Sequence, residues 1–223
     1  MMEIAKTNEQ SFEELIEKAL VGSTREERGE VAVVDAQHPG EDQFYWGLPK
    51  DMDNKLAIDT RRLWSFLEAT QADELAKYKG GDIRRDLPER IKNTIDQFGV
   101  LTALRKPIEI LNIKLNLFYP KPTASDSEEA RRLYSQNQFS VTRQLTFSER
   151  RPGLEIDMAI FVNGIPLFTI ELKNPWTYQT AKYDGEKQYR EERDPRETLL
   201  KFGHCLAHFT MDKDEVYFTT KLD

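Results

Sequence analysis

An aspartate and a Glu-x-Lys pair lie within one short, largely apolar stretch of the chain. This stretch, LEIDMAIFVNGIPLFTIELKNP, runs from Leu154 to Pro175 and contains Asp157, Glu171 and Lys173. Side chains two residues apart in a β-strand share a face, so Glu171 and Lys173 should point the same way. A cation held by carboxylates beside a lysine suits phosphodiester hydrolysis, because such a cation neutralises phosphate charge and activates water. The pattern therefore favours a metal-dependent phosphodiesterase site.

Each of these residues has an expected role. Asp157 and Glu171 would be the ligands of Mg²⁺, with Mn²⁺ able to substitute, and the backbone carbonyl of Leu172 would be a third ligand. Lys173 would orient or help deprotonate the attacking water and offset the charge that builds up on the phosphate. The alternative interpretation is ordinary strand chemistry, since Glu and Lys are common on the wet face of a strand.

The turn between the two strands decides whether the carboxylates share a face. Asn163-Gly164 is typical of a two-residue hairpin turn, and a regular ladder from that turn would put Asp157 on the face opposite to Glu171. We therefore predict a three-residue loop, Val162 to Gly164, with Gly164 in the left-handed region forming a bulge. Asp157 would then lie opposite Thr169, on the Glu171 face.

The surrounding sequence predicts a mixed α/β domain with a central sheet. Ser11 and Glu14 have the spacing of a capping box and predict a helix that begins at Ser11. The stretches 38–55 and 120–129 are predicted as loops. Apolar periodicity predicts helices at 59–78, 88–98, 181–193 and 196–209, and strands at 111–117, 139–147, 154–162, 165–173 and 216–220.

The composition is that of a globular protein that does not cross a membrane. The 223 residues are 39% hydrophobic and 32% charged, and no apolar run approaches the roughly 20 residues of a membrane helix. The N-terminal residues are polar, which argues against a secretory signal. A single cysteine, Cys205, cannot form an internal disulfide. We expect one domain over 1–223 in the cytoplasm, helical over about 1–100 and with the catalytic sheet over about 101–223.

The charge limits how this domain could hold DNA. The net charge is −7, whereas nonspecific DNA affinity comes mainly from neutralising phosphates. A nuclease domain can be acidic, but something else must then hold the DNA. The charge therefore indicates one part of a larger assembly.

The Asp157…Glu171-Leu172-Lys173 arrangement resembles the PD-(D/E)xK nuclease superfamily. More specifically, the chain is similar to the N-terminal part of the R subunit of type I restriction-modification enzymes. The similarity covers nearly the whole chain and is strongest from Asn137 onward. The segments that carry it are FVNGIPLFTIELKNP (161–175), QYREERDP (188–195), FGHCLAHF (202–209), NQFSVTRQLTF (137–147) and LWSFLEATQ (63–71).

The resemblance implies a restriction-endonuclease-like core with extra N-terminal helices, acting on double-stranded DNA. In that family the subunit continues into an ATP-dependent translocase and works with specificity and methyltransferase subunits. This chain has no GxxxxGK[ST] loop and is not itself the motor. Two alternatives stay open: a non-catalytic docking or DNA-guiding module of the same complex, and a stand-alone PD-(D/E)xK repair nuclease.

The resemblance also implies a glutamine on the helix after the Glu-x-Lys strand, often written QxxxY. Gln179 with Tyr183 matches the letters but falls in a predicted loop. Gln188 lies inside the predicted helix, although the residue four positions further on is Glu192. We favour Gln188, with Tyr189 beside it as a weaker candidate.

Two other sets of side chains have competing explanations. An acidic residue on the first helix contributes in many members of the superfamily, and Glu13 is the candidate here. A solvated helix face accounts for Glu13 equally well. His204, Cys205 and His208 invite a metal interpretation, but a zinc site needs further ligands, so core histidines are favoured.

Overall fold

The computed structural model describes residues 2–28, 44–173 and 179–222, and its centre is a six-stranded mixed sheet. The strands of this sheet lie in the order β1-β6-β7-β8-β9-β10. Their bounds are Tyr45–Trp46 (β1), Phe139–Thr146 (β6), Glu155–Val162 (β7), Ile165–Leu172 (β8), Ala207–Met211 (β9) and Val216–Thr219 (β10). The predicted α/β class with a central mixed sheet is confirmed.

Helices surround this sheet, and two small hairpins accompany them. The hairpins pair Met52–Asp53 (β2) with Ile58–Asp59 (β3), and Ile108–Ile110 (β4) with Ile113–Leu115 (β5). The helices are Met2–Val21 (α1), Arg25–Arg28 (α2), Thr60–Leu75 (α3), Ile83–Phe98 (α4), Val100–Arg105 (α5) and Glu128–Ser135 (α6). Within the described ranges, no helix is long and apolar enough to cross a membrane.

The sheet combines an antiparallel meander with a parallel crossover. Strands β6, β7 and β8 run antiparallel in turn, whereas β9 returns parallel to β8. A parallel return needs a long connection. It includes a helical segment, 181–192, with π-helical turns at Ala181–Gly185 and Gln188–Glu192. This segment, predicted at 181–193, therefore packs beside the strand that carries Glu171.

The β7–β8 turn differs from the prediction. Val162 pairs with Ile165 across a two-residue turn, Asn163-Gly164, in which both residues have positive φ, 51° and 80°. These are the backbone angles of a tight hairpin turn, so the three-residue loop was wrong. The bulge lies further along, since Phe161 pairs with Pro166 but Ile160 already pairs with Phe168.

That bulge changes which β8 residues share a sheet face with Asp157. Leu167 is the extra residue, and beyond it Met158 pairs with Ile170. Continuing this register by one residue sets Asp157 opposite Glu171 rather than opposite Thr169. The shared face of the two carboxylates was therefore predicted correctly, but the device that produces it is a strand bulge rather than a longer turn.

Several predicted elements were wrong in extent or type. Helix α1 begins at Met2 rather than at Ser11. The stretch predicted as a helix at 196–209 contains a short 3₁₀ turn, Thr198–Leu200, and then strand β9. The strand predicted over 111–117 is reduced to β5, outside the central sheet, and α6 begins within the tail of a predicted loop.

Two apolar clusters hold the sheet between its covering layers. On one face, Phe12, Ile16 and Leu20 of α1 pack against residues of the central strands that include Val141 and Ile170. On the other face, Tyr189 of the helical segment 181–192 packs with residues that include Leu145, Ile156, Ala159 and Leu199. The carboxylate pair lies on this second face, because Glu171 alternates along β8 with Ile170 and Leu172 of the first cluster and contacts Arg193 at the end of the helical segment.

Candidate active site

Asp157 and Glu171 face each other across the two central strands. Their neighbours Met158 and Ile170 are paired in the ladder, and beyond them the Oδ2 atom of Asp157 accepts a hydrogen bond from the backbone N–H of Leu172, at 2.6 Å. The aspartate side chain thus takes the place of a strand partner where the ladder ends. This contact fixes Asp157 against β8.

The same contact defines which way the Leu172 carbonyl points. In a strand the N–H and C=O of one residue point to the same side. The Leu172 N–H points to Asp157, whereas the following N–H, from Lys173, points to the Met211 carbonyl of β9, at 2.8 Å. The carbonyl of Leu172 therefore lies on the Asp157 side, as its predicted role as a ligand requires.

The carboxylate of Glu171 is fully buried, and only one of its two oxygens accepts a hydrogen bond from the described residues. Its Oε1 atom accepts a hydrogen bond from the Nε of Arg193 at 2.7 Å, and its Oε2 atom has no hydrogen-bond partner among the described residues. Burial and, after it, the charge of Asp157 raise the pKa of Glu171 to about 8, against the opposing effect of Arg193. The negative charges of Asp157 and Glu171 repel each other, and a bound cation would offset that repulsion.

Lys173 completes the cluster from the same face of β8. Its ammonium donates a hydrogen bond to the Oε1 of Gln188, and its positive charge acts on Glu171. Of the two glutamine candidates, Gln188 is therefore the one that the structure brings to the Glu-x-Lys pair. Tyr183, the partner of Gln179 in the QxxxY pattern, is 70% exposed.

Tyr189 lies next to Gln188 but is turned into the core. Its hydroxyl is 2.8 Å from the Oγ1 of Thr169, which is in turn 2.7 Å from the Nδ1 of His208. Burial raises the pKa of Tyr189 well above its ordinary value. In this position the side chain anchors the helical segment 181–192 to β8 and β9.

Glu13 is placed on the other face of the sheet. Its carboxylate accepts a hydrogen bond from the Nε of Arg143 at 3.1 Å, and the Nη1 of the same arginine donates to Glu17 at 2.8 Å. Glu13 is only 6% exposed, so a solvated helix face does not describe it. The structure gives Glu13 a buried ion pair that joins α1 to β6, rather than a place beside Asp157.

His204 and His208 lie on different elements instead of one helix face. His204 is in a turn and its Nε2 is 2.9 Å from the Oδ1 of Asp96, while His208 is on β9. Both are buried, and burial lowers the pKa of His208 to about 4. The favoured interpretation as core histidines agrees with this placement.

The donor set fits a divalent cation that prefers oxygen. Among the described residues no group of three or more His, Cys, Asp or Glu side chains could hold a metal ion. The pair offers two carboxylates and the Leu172 carbonyl, and Mg²⁺ commonly uses one or two carboxylates with water and phosphate oxygens for the rest. The buried Oε2 of Glu171, for which residues 2–28, 44–173 and 179–222 supply no donor, is the observation that supports this fit.

Arg193 is the residue that sequence analysis missed. It lies in the segment QYREERDP, but nothing in the letters says that it pairs with a glutamate twenty-two residues earlier. Its side chain is buried like that of Glu171. The only signal was an arginine at the end of a polar helix.

Comparison with known families assigns the chain independently of this geometry. The family model described as type I restriction enzyme R protein N terminus matches residues 64–223, a range that includes Asp157, Glu171 and Lys173. No curated protein matches the chain. The matched range covers most of the sequence and all of the central sheet except β1. The chain therefore belongs to the family of type I restriction enzyme R protein N-terminal regions.

Proposed function

We propose that this chain is a metal-dependent endonuclease domain that hydrolyses phosphodiester bonds of double-stranded DNA within a type I restriction enzyme. The observation that carries the proposal is the Asp157–Glu171 pair, in which one glutamate oxygen has no partner in the described ranges and Lys173 lies beside it. Mg²⁺ is the proposed cation, with Mn²⁺ as a substitute.

The residues divide the work in the following way. Asp157, Glu171 and the Leu172 carbonyl would hold the cation, which supplies charge neutralisation and a water of lowered pKa when bound. Lys173 orients the attacking water and offsets negative charge that develops on the phosphate. Gln188 fixes the ammonium through its side-chain oxygen, which keeps Lys173 from swinging away from the phosphate.

The acidic charge supports a division of labour within a larger complex. A net charge of −7 does not favour tight binding of a polyanion by this domain alone. We propose that ATP-dependent translocation by the rest of the subunit, together with the specificity and methyltransferase subunits, delivers DNA to the site in the cytoplasm. Cutting would then depend on delivery rather than on the affinity of this domain.

A diffraction experiment tests the centre without requiring activity. Crystals soaked in Mn²⁺ should show anomalous density within coordination distance of Asp157 and Glu171. The absence of a peak at this pair in well-soaked crystals would count against the nuclease and for a docking module.

A substitution in the intact complex tests the function itself. Asp157→Ala should abolish DNA cleavage while ATP hydrolysis continues, because only the cutting centre is lost. Asp73→Ala, an exposed position on α3, is the matched control and should leave both activities unchanged. Cleavage that survives Asp157→Ala would remove the proposal.

A further inference from the structure

We propose that Arg193 is a positioning residue for the metal-binding carboxylate. Its guanidinium holds one oxygen of Glu171 so that the other oxygen is presented to the cation. This inference rests on the proposed function, and it adds to the site a residue that makes no contact with substrate itself.

The first support is the division of labour between the two oxygens of Glu171. The Oε1 atom accepts a hydrogen bond from the Nε of Arg193 at 2.7 Å, whereas Oε2 has no partner within the part of the chain that the structure describes. Both side chains are almost completely buried, with 4% and 0% of their surface exposed. A buried carboxylate oxygen without a donor is unfavourable, so the arrangement is one that a bound cation completes.

The second support is the way Arg193 is itself held. Its Nη2 donates to the backbone carbonyl of Glu155 at 2.8 Å, and its guanidinium carbon lies 5.7 Å from the centre of the Phe147 ring. Glu155 lies on β7, two residues before Asp157. Arg193 therefore bridges the two strands that carry the carboxylates, which fixes its direction of approach to Glu171.

The third support is the π-helical turn that ends at Arg193. The Arg193 N–H donates to the Gln188 carbonyl at 3.2 Å, five residues back, which is the spacing of a π turn. Through this turn Gln188 contacts Lys173 and Arg193 contacts Glu171. One turn thus orients both charged residues of the Glu-x-Lys pair, and π turns are frequent at functional sites.

A purely structural role makes a different prediction. If the ion pair only fastened the end of the helical segment 181–192 to the sheet, its loss would lower stability and leave the affinity of the folded protein for metal unchanged. If Arg193 positions Glu171, its loss frees the carboxylate to turn towards another donor, and metal affinity falls.

The experiment measures Mn²⁺ binding to the full-length subunit by titration calorimetry, without DNA and without reference to cleavage. Arg193→Met should raise the Kd for Mn²⁺ at least tenfold, and Arg193→Lys should raise it less, since one ammonium keeps the charge but not both contacts. Arg196→Met, at an arginine with a side chain that is 75% exposed, is the matched control and should bind as the wild type does. Thermal melting establishes that each variant is folded.

Each outcome decides the matter. A folded Arg193→Met variant that binds Mn²⁺ as tightly as the wild type overturns the role of Arg193 and leaves the proposed function standing. If Arg193→Met does not fold, Arg193→Lys decides, and an unchanged Kd overturns the inference. If the wild type shows no Mn²⁺ binding that Asp157→Ala removes, the proposed function fails and the inference fails with it.

Discussion

The ammonium of Lys173 donates a hydrogen bond to the side-chain oxygen of Gln188, so the end of β8 is tied to the helical segment that follows it. The contact leaves the lysine 8% exposed, held rather than free in solvent. It also joins two residues fifteen positions apart into one functional unit.

Replacing this glutamine should therefore impair cutting. Gln188→Ala should lower the DNA cleavage rate of the intact complex by about 10- to 100-fold, the usual effect of removing a group that orients an active-site residue. ATP hydrolysis, measured in parallel, should not change. Gln179→Ala serves as the control and should cut normally. The reverse result would transfer the role to Gln179.

The buried arginine on the opposite face should matter for stability. Arg143 is 4% exposed between Glu13 and Glu17, and Arg143→Met would leave both carboxylates buried without their cation. We expect a loss of about 3–5 kcal/mol in the free energy of unfolding, measured by urea denaturation. Glu26→Gln removes a partner with a side chain that is 49% exposed and should cost less than about 1 kcal/mol. Equal midpoints for the two variants would contradict this account.

The hairpin turn should tolerate no side chain at Gly164. A Cβ there would lie 2.2 Å from the Asp59 carbonyl oxygen, and φ is already +80°. Gly164→Ala should therefore lower the free energy of unfolding by more than about 2 kcal/mol. Gly153 has a similar φ of +87° with nothing within 4 Å. Gly153→Ala should then show the conformational cost alone, about 1 kcal/mol, and equal losses would exclude the clash.

Asp59 should make stability depend on pH. Burial raises its pKa from 3.8 to about 6 in the folded protein. Between these values the folded chain keeps a proton that the unfolded chain has released, so this contribution to stability is lost as pH rises from about 4 to about 6.

A neutral replacement isolates that contribution. Asp59→Asn retains an oxygen to cap α3 through the Arg62 N–H. The variant should gain about 2–3 kcal/mol over the wild type between pH 4 and pH 6, by chemical denaturation at each pH. Any opposing change at His208 is common to both proteins. Parallel stability curves would show that Asp59 does not titrate as described.

The sequence predicted β6, β7 and β8 well because β6 alternates regularly and because β7 and β8 are largely apolar runs on either side of the Asn163-Gly164 turn. It failed where the tertiary environment decides. His204 and His208 are four residues apart with apolar neighbours, which imitates a helix, yet Ala207–Met211 is recruited by β8 as a parallel strand. The two-residue strand Tyr45–Trp46 is too short to show any period.

The site was predictable in its residue types but not in its geometry. The shared face of Asp157 and Glu171 was predicted because a metal site needs both carboxylates together. The bulge at Leu167 that produces this face has no recognisable sequence pattern. Ion pairs between residues far apart in the sequence also have no local sequence pattern that predicts them. Arg193 and Glu171 meet only because the chain crosses over before β9, and no local pattern encodes that meeting.

The carboxylates lie in the middle of the sheet, so the strands that carry them should open less often than the helical segment that contacts them. Asp157 and Glu171 lie on β7 and β8, each flanked on both sides by other strands, and amides such as those of Met158 and Ile170 should exchange with solvent only when the whole domain unfolds. Gln188 and Arg193 lie at the end of the helical segment 181–192, where residues 190–192 are exposed, and we expect this end to open locally more often than the sheet does. The cation ligands would then stay assembled while the groups that align them detach, so cutting could be interrupted without dismantling the fold.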